Sequence, residues 1–204
     1  MKNNFTIGYV ATAISPYFSE EYKVRENSEL NLKKILKNYD VELLSYKKTV
    51  FTKEDSEDAA NFFKDKIDFL LLQTSSCSAG DQLYPLCNIT KKMGLWAVPD
   101  IEKEGDVKLH SLVSVSHYLG IIKKTLSDKK IKTKWFYNYA DTDEFKNKFL
   151  VTIKSLIAQK KLQQSRIGLV GGISPGFDNM LVDNEKIKEN IGTIIDEATI
   201  EELV

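Results

Sequence analysis

The sequence predicts an α/β protein: a Rossmann-like, doubly wound parallel sheet followed by the start of a second α/β domain. Three observations predict it. Short apolar, β-branched or aromatic runs alternate with longer segments of helical period, the pattern of parallel strands joined by crossover helices. Glycine and proline gather at the junctions rather than inside the elements. Finally, "RIGLVGGISPGF", residues 166–177, repeats the grammar of "FTIGYVATAISPYF", residues 5–18. Each has a strand with Ile-Gly, then a loop with Ile-Ser-Pro and an aromatic, so a second domain opens there.

The elements follow in order. "FTIGYVAT", 5–12, is the first strand; after a loop with Pro16, apolar Tyr22, Leu30, Ile35 and Leu36 punctuate a charged helix. "VELLSY", 41–46, is the second strand. Thr52 is placed as the N-cap of the next helix, with acidic residues in its first turn where the helix dipole favours them and with Ala59, Ala60, Phe62 and Phe63 as its buried face. "IDFLLLQ", 67–73, is the most apolar strand and is therefore central, since a strand covered on both faces reads as an unbroken apolar run. Asp81 to Lys92 reads as a helix with Gly94 just past its end, "LWAVP" as the fourth strand, and Leu112 to Leu126 as a helix. "TKWFYNYA" is the fifth strand, and Thr142 to Gln164 a long helix that closes a first domain of residues 1–164. Residues 165–204 hold only one strand, a helix near Asp183 to Asn190, a short "TIIDEA" strand and the start of another helix. That is too little to close a core, so the second domain is expected to be incomplete.

Composition narrows the function classes. Lysine plus arginine and aspartate plus glutamate number 29 each, so no net field draws the chain to nucleic acid or an anionic membrane. A small neutral ligand suits that balance. Met1 leads into a polar start rather than a basic segment and a long apolar stretch, and nothing approaches the roughly 20 apolar residues that span a bilayer. The expected location is the cytoplasm, with Cys77 and Cys87 as reduced thiols.

In an open parallel sheet, ligands collect beyond the carboxyl ends of the strands. The corresponding loops, 12–19, 73–81, 99–111, 137–143 and 171–179, hold most of the small hydroxyl and amide residues, a lining suited to a polyol. Gln73, Thr74, Ser75 and Ser76 also fit a plain strand exit and helix cap. His110 and His117, seven apart, fit one helical face better than a metal site, and Trp96 and Trp135 read as core. "GLVGGISPG" matches neither GxGxxG nor the Walker pattern, which leaves phosphate binding as a minor reading. No HExxH, Ser-His-Asp arrangement or nucleophile elbow is present, so the chain does not look catalytically complete.

Four stretches carry a resemblance: "LLLQTSSCSAGDQLYPLC", "GLWAVPDIEKEGDVKLHSLVSVSHYLGII", "KTKWFYNYADTDEF" and "SRIGLVGGISPGFDNM". In that order and at these spacings they resemble the amino-terminal half of the L-fucose isomerase and L-arabinose isomerase-like sugar isomerases, along nearly the whole chain. The resemblance implies aldose–ketose interconversion on a pentose or deoxyhexose, with Mn2+ in an intact homologue and its Glu, Asp or Glu, and His ligands in the carboxyl-terminal half. No catalytic residue or metal ligand is therefore assigned in this chain. It also implies a homo-oligomer in which this domain packs over a neighbour's active site and contacts the far end of the sugar. The expected sugar contacts are Ser15, Gln73, Ser75, Ser76 and Asp81, with loop 99–111 as a rim element where His110 stands in place of the family's usual Asn. A non-enzymatic sugar-binding α/β module is the alternative, and a nucleotide-binding protein a third possibility.

Overall fold

A computed structural model describes residues 5–102 and 104–203, leaving out the side chain of Leu203; the polar start at 1–4, Lys103 in the rim loop and Val204 lie outside the described residues. The chain divides into two compact units, 1–149 and 150–204, the division falling inside the long helix 143–163.

The first unit is a five-stranded, all-parallel sheet. Its strands are β1 (Phe5–Thr12), β2 (Val41–Ser45), β3 (Phe69–Thr74), β4 (Lys92–Ala97) and β5 (Lys132–Tyr137), in the order β2-β1-β3-β4-β5. The helices are α1 (Val24–Leu36), α2 (Lys53–Phe63), the single turn α3 (Leu83–Leu86), α4 (Ser111–Lys124) and α5 (Asp143–Gln163). Central β3 is buried at every position, as expected for its apolar run Phe69–Leu72, and its polar end at Gln73 and Thr74 is buried with it. Alternation along the strands sends Leu70, Leu72, Met93 and Leu95 to one face, where Phe63, Leu86, Val115 and Tyr118 cover them. Tyr9, Trp96 and Phe136 point to the other, where Trp96 meets Phe145 at 4.5 Å between ring centres. Each fully buried Leu or Phe contributes about 1.5–3 kcal/mol by leaving water. Thr52 caps α2 by accepting from the Asp55 N–H at 3.2 Å.

Three readings need correction. The expected helix from Asp81 to Lys92 is only a 3-10 turn, Gly80–Gln82, followed by α3. Pro85 removes an N–H from that segment, and the chain turns out through Asn88 and Ile89 so that Met93 can pair opposite Leu70. Gly94 therefore lies inside β4 and not past a helix end. It is glycine for want of room, since a Cβ there would come within 2.6 Å of Phe69 Cζ and 2.9 Å of Phe136 Cε2. Trp135 is 46% exposed because β5 is an edge strand, with Lys148 Nζ 4.1 Å over its ring, while Trp96 is core as expected. His110 and His117 do not share a helical face. His110 precedes α4 with a left-handed φ of 57°, and His117 sits on the exposed side of α4.

The second unit holds β6 (Arg166–Val170), α6 (Asn184–Ile191) and β7 (Ile194–Ala198), with β6 and β7 paired in parallel and Asp183 capping α6. Gly192 ends that helix with a φ of 87°, and Arg166 grips Asp196 through two hydrogen bonds of 2.8 and 2.6 Å. Ile167, Phe177, Met180 and Leu181 stay more than half exposed around an apolar cleft of about 580 Å³. A sheet of two strands is marginal by itself.

Candidate functional site at the carboxyl edge of the sheet

The order β2-β1-β3 makes the gap between β1 and β3 the switch point, the position where ligands collect in open parallel sheets. The loops after β1, β3 and β4 meet there. Ser75 N–H donates to Thr12 O at 2.8 Å, Cys77 N–H to Leu109 O at 2.7 Å, and Phe18 N–H to Lys108 O at 3.2 Å.

Beneath this mouth the polar side chains bond to one another. On the α1 side, the Gln73 amide oxygen accepts from Tyr9 OH at 2.6 Å and Ser75 Oγ at 3.2 Å, and its nitrogen donates to Ser28 Oγ at 2.7 Å. On the α4 side, Thr74 and Ser111 bridge β3 to the start of α4, and Ser111 Oγ also accepts from Val98 N–H at 3.0 Å. Thr12 Oγ1 lies 2.9 Å from Ser78 Oγ, and Ser78 N–H donates to Ser114 Oγ at 2.7 Å. Gln82 is the keystone. Its nitrogen donates to the carbonyls of Ala13 and Phe51 at 2.9 and 2.8 Å, while its oxygen accepts from Ala79 N–H and Tyr118 OH at 3.1 and 3.3 Å. Burial pushes the Tyr9 and Tyr118 phenols up, outweighing Arg25 near Tyr9 and the Thr12 and Ser78 hydroxyls near Tyr118, so both act as protonated donors.

The rim loop is organised by one carboxylate. Asp100 Oδ1 accepts from the N–H groups of Ile101 and Lys108 at 3.2 and 2.8 Å, and Oδ2 from those of Leu109 and His110 at 3.0 Å each. Burial raises its pKa, but the His110, Leu109, Lys108 and Ile101 N–H groups more than offset this and hold it below its ordinary value. Val-Pro-Asp thus ends the strand and folds the charged run back so that Leu109 re-enters the core, and Tyr139 OH donates to Pro99 O at 3.0 Å. His110 is delivered beside Tyr17, their rings nearly parallel with centres 6.1 Å apart. The Tyr17 phenol is pushed up by desolvation and then by its neighbour Cys77, a free and partly exposed thiol.

Of the residues expected to touch sugar, Ser15 and Asp81 are exposed on the mouth loops. Gln73, Ser75 and Ser76 have no exposed surface and belong to the internal network, so a ligand would reach them only if that network opened. Gln73 and Ser75 are brought together; no direct bond joins Ser15 or Asp81 to them among the described residues. The outward-facing rim is Tyr17, Cys77 and His110; a polar crevice of about 420 Å³ is lined by Tyr22, Asn27, Asn31, Asp141 and Ile101 of the rim loop. Sequence spacing carries little signal for the Asp100 and Gln82 roles, because most of their partners lie 8 to 69 residues away.

Comparison with known proteins finds no matching family model and no curated relative. Among the described residues no group of three or more His, Cys, Asp or Glu side chains is placed to hold a metal ion, and no helix is long and apolar enough to cross a membrane. The residues present do not fit the manganese implied for an intact homologue, and no chemical step through a metal follows from them.

Proposed function

We propose that this chain is the amino-terminal region of a cytoplasmic, metal-dependent aldose–ketose isomerase of the fucose/arabinose type. In that role it supplies substrate-rim and subunit-interface contacts in a homo-oligomer and does no chemistry by itself. The observation that carries this reading is the mouth at the β1/β3 switch point: a stiff hydroxyl and amide floor with Ser15, Tyr17, Asp81 and His110 around it, followed by the opening of a second α/β unit at β6. Sugar contacts come from those outward side chains, while Gln73, Ser75 and Ser76 hold the loops that present them. Nucleic acid and membrane have no part in it.

The test is spectroscopic. L-fucose and L-arabinose, titrated at millimolar concentration into isotopically labelled protein, should shift amide resonances of the loops after β1, β3 and β4 and leave the opposite edge of the sheet unmoved. Calorimetry should find no stoichiometric Mn2+ site, and purified chain should not interconvert aldose and ketose. Turnover by the chain alone overturns the proposal. A metal-independent rise in melting temperature with free sugar would instead support the sugar-binding module.

A further inference from the structure

The chain is neutral overall, but its charges are not evenly spread over the first unit. At the amino ends of β4 and β5, Lys91, Lys92, Lys129, Lys130, Lys132 and Lys134 converge, with Asp128 the one acid in segments 88–92 and 123–134 and Asp68, before neighbouring β3, joined to Thr90 beside them. Contacts fix this cluster in space. Lys92 stands opposite Lys132 in the β4–β5 ladder, Lys132 N–H donates to Lys91 O at 2.7 Å, and the Lys129 ammonium donates to the Asn88 side chain. Lys91, Lys130, Lys132 and Lys134 have no carboxylate within ion-pair distance among the described residues.

The carboxyl end of the same two strands has the opposite sign. The loops after β4 and β5 carry Asp100, Glu102, Glu104, Asp106, Asp141 and Asp143, against only Lys103 and Lys108 in segments 98–110 and 138–143. Asp106 is paired with Lys108 at 3.9 Å and Asp143 with Lys146 at 3.3 Å; Glu102, Glu104 and Asp141 are exposed and unpaired among the described residues. A six-residue strand separates the two ends by roughly 20 Å, beyond the Debye length of about 8 Å at physiological salt. Neither end neutralises the other within one molecule. Lysines on an exposed edge strand are ordinary protection against edge pairing. That role explains Lys132 and Lys134; it does not explain Lys91 and Lys130 beside them, nor the acidic rim facing the other way.

We infer that the lysine end of one molecule docks on the acidic carboxyl-edge rim of a second copy, head to tail, so that the neighbour's lysines cap the rim of the mouth at Glu102, Glu104 and Asp141. Such a contact is heterologous, so it propagates into a ring or an open chain and does not close as a two-fold dimer. It rests on the charge distribution alone and stands whether or not the mouth takes a sugar.

Two charge-reversed proteins test it. One carries Lys91→Glu, Lys132→Glu and Lys134→Glu; the other carries Glu102→Lys, Glu104→Lys and Asp106→Lys. All six positions are at the surface, and circular dichroism checks each fold. Sedimentation velocity of the unaltered chain should show association at about 0.01 M salt that is lost at about 1 M, where the Debye length falls from about 30 to about 3 Å. Each reversed protein alone should weaken association at least about tenfold, a loss of about 1.4 kcal/mol, and an equimolar mixture of the two should associate again. Failure of the mixture to associate overturns the inference. So does an unaltered chain that stays monomeric at low salt, or one whose lysine end instead binds duplex DNA or phosphatidylserine vesicles in preference to itself.

Discussion

Removing the Asp100 carboxylate should loosen the mouth and destabilise the first unit together. Asp100 accepts four backbone N–H bonds of 2.8–3.2 Å, three of them from the consecutive N–H groups of residues 108–110. Hydrogen bonds to a charged acceptor contribute about 1.5–3 kcal/mol each when sealed from solvent, but this loop is partly exposed and water re-solvates some of the donors. Asp100→Ala should therefore cost about 2–3 kcal/mol in total, lowering the urea midpoint by about 1 M. Asp100→Asn keeps an acceptor toward one pair of donors and turns an amide N–H toward the other, so about half that cost is expected. Both tryptophans, Trp96 and Trp135, lie within residues 1–149, so their fluorescence reports unfolding of this unit alone. The pH dependence has a definite sign. Asp100 has a folded pKa below its ordinary value, so its contribution is full above about pH 4 and is lost as pH falls through the lowered folded value. Both variants should show a shallower loss of stability below pH 4 than the unaltered chain. An Asp100→Ala protein with an unchanged urea midpoint at neutral pH and an unchanged acid limb would refute the reasoning.

Gly94→Ala should destabilise by about 1–3 kcal/mol through overpacking, because the new methyl meets Phe69 and Phe136 ring atoms at 2.6 and 2.9 Å in a closed core; a melting temperature within a degree of the unaltered chain would contradict it. Gln82→Met keeps the volume but strands the carbonyls of Ala13 and Phe51 and the N–H of Ala79, so about 3 kcal/mol or more should be lost in chemical denaturation. The two thiols should separate by accessibility. Burial pushes Cys87 up to about 11, slightly opposed by Lys129, whereas Cys77 is partly exposed on the rim. Iodoacetamide at pH 8 should then modify Cys77 first, with Cys87 modified only in denaturant, as read by mass spectrometry of the peptides.

The fold was legible because its strands announce themselves in two ways. Phe69 to Leu72 is an unbroken apolar run and the strand it opens proves central, and Thr52 followed by Glu54 and Asp55 marks the start of α2 where the cap is found. Gly94 misled because glycine next to a polar segment signals a helix end as readily as a crowded strand, and only the Phe69 and Phe136 rings and the Leu71 side chain around it decide between them. Trp135 misled for a related reason: an edge strand and an inner strand have the same period, and exposure depends on which strand lies beyond. The mouth was legible as a set of loops but not as a set of contacts. Ser75, Ser76 and Gln73 have the composition of a polyol lining, and the same donors and acceptors serve equally well to bond β1, α1 and α4 to one another. Tyr17 and His110 lie more than ninety residues apart, so their stacking depends on the loop that Asp100 folds.

That internal bonding also bears on what the unit can recognise. Selection among sugar epimers needs buried polar groups that the right hydroxyl satisfies and the wrong one leaves unpaired, since the cost of the unpaired group supplies the discrimination. Among the described residues only Ser19 and Ser45 have buried side-chain oxygens without a partner, and Ser45 lies at the end of β2, outside the mouth loops. Ser19 alone belongs to a mouth loop. The remaining polar groups of the floor are satisfied before any ligand arrives, and those of the rim stand in water, where each exchange of water for sugar hydroxyl is nearly neutral. On the reading proposed above, such a platform would position a sugar without choosing it, and the epimer preference would have to come from side chains beyond this unit.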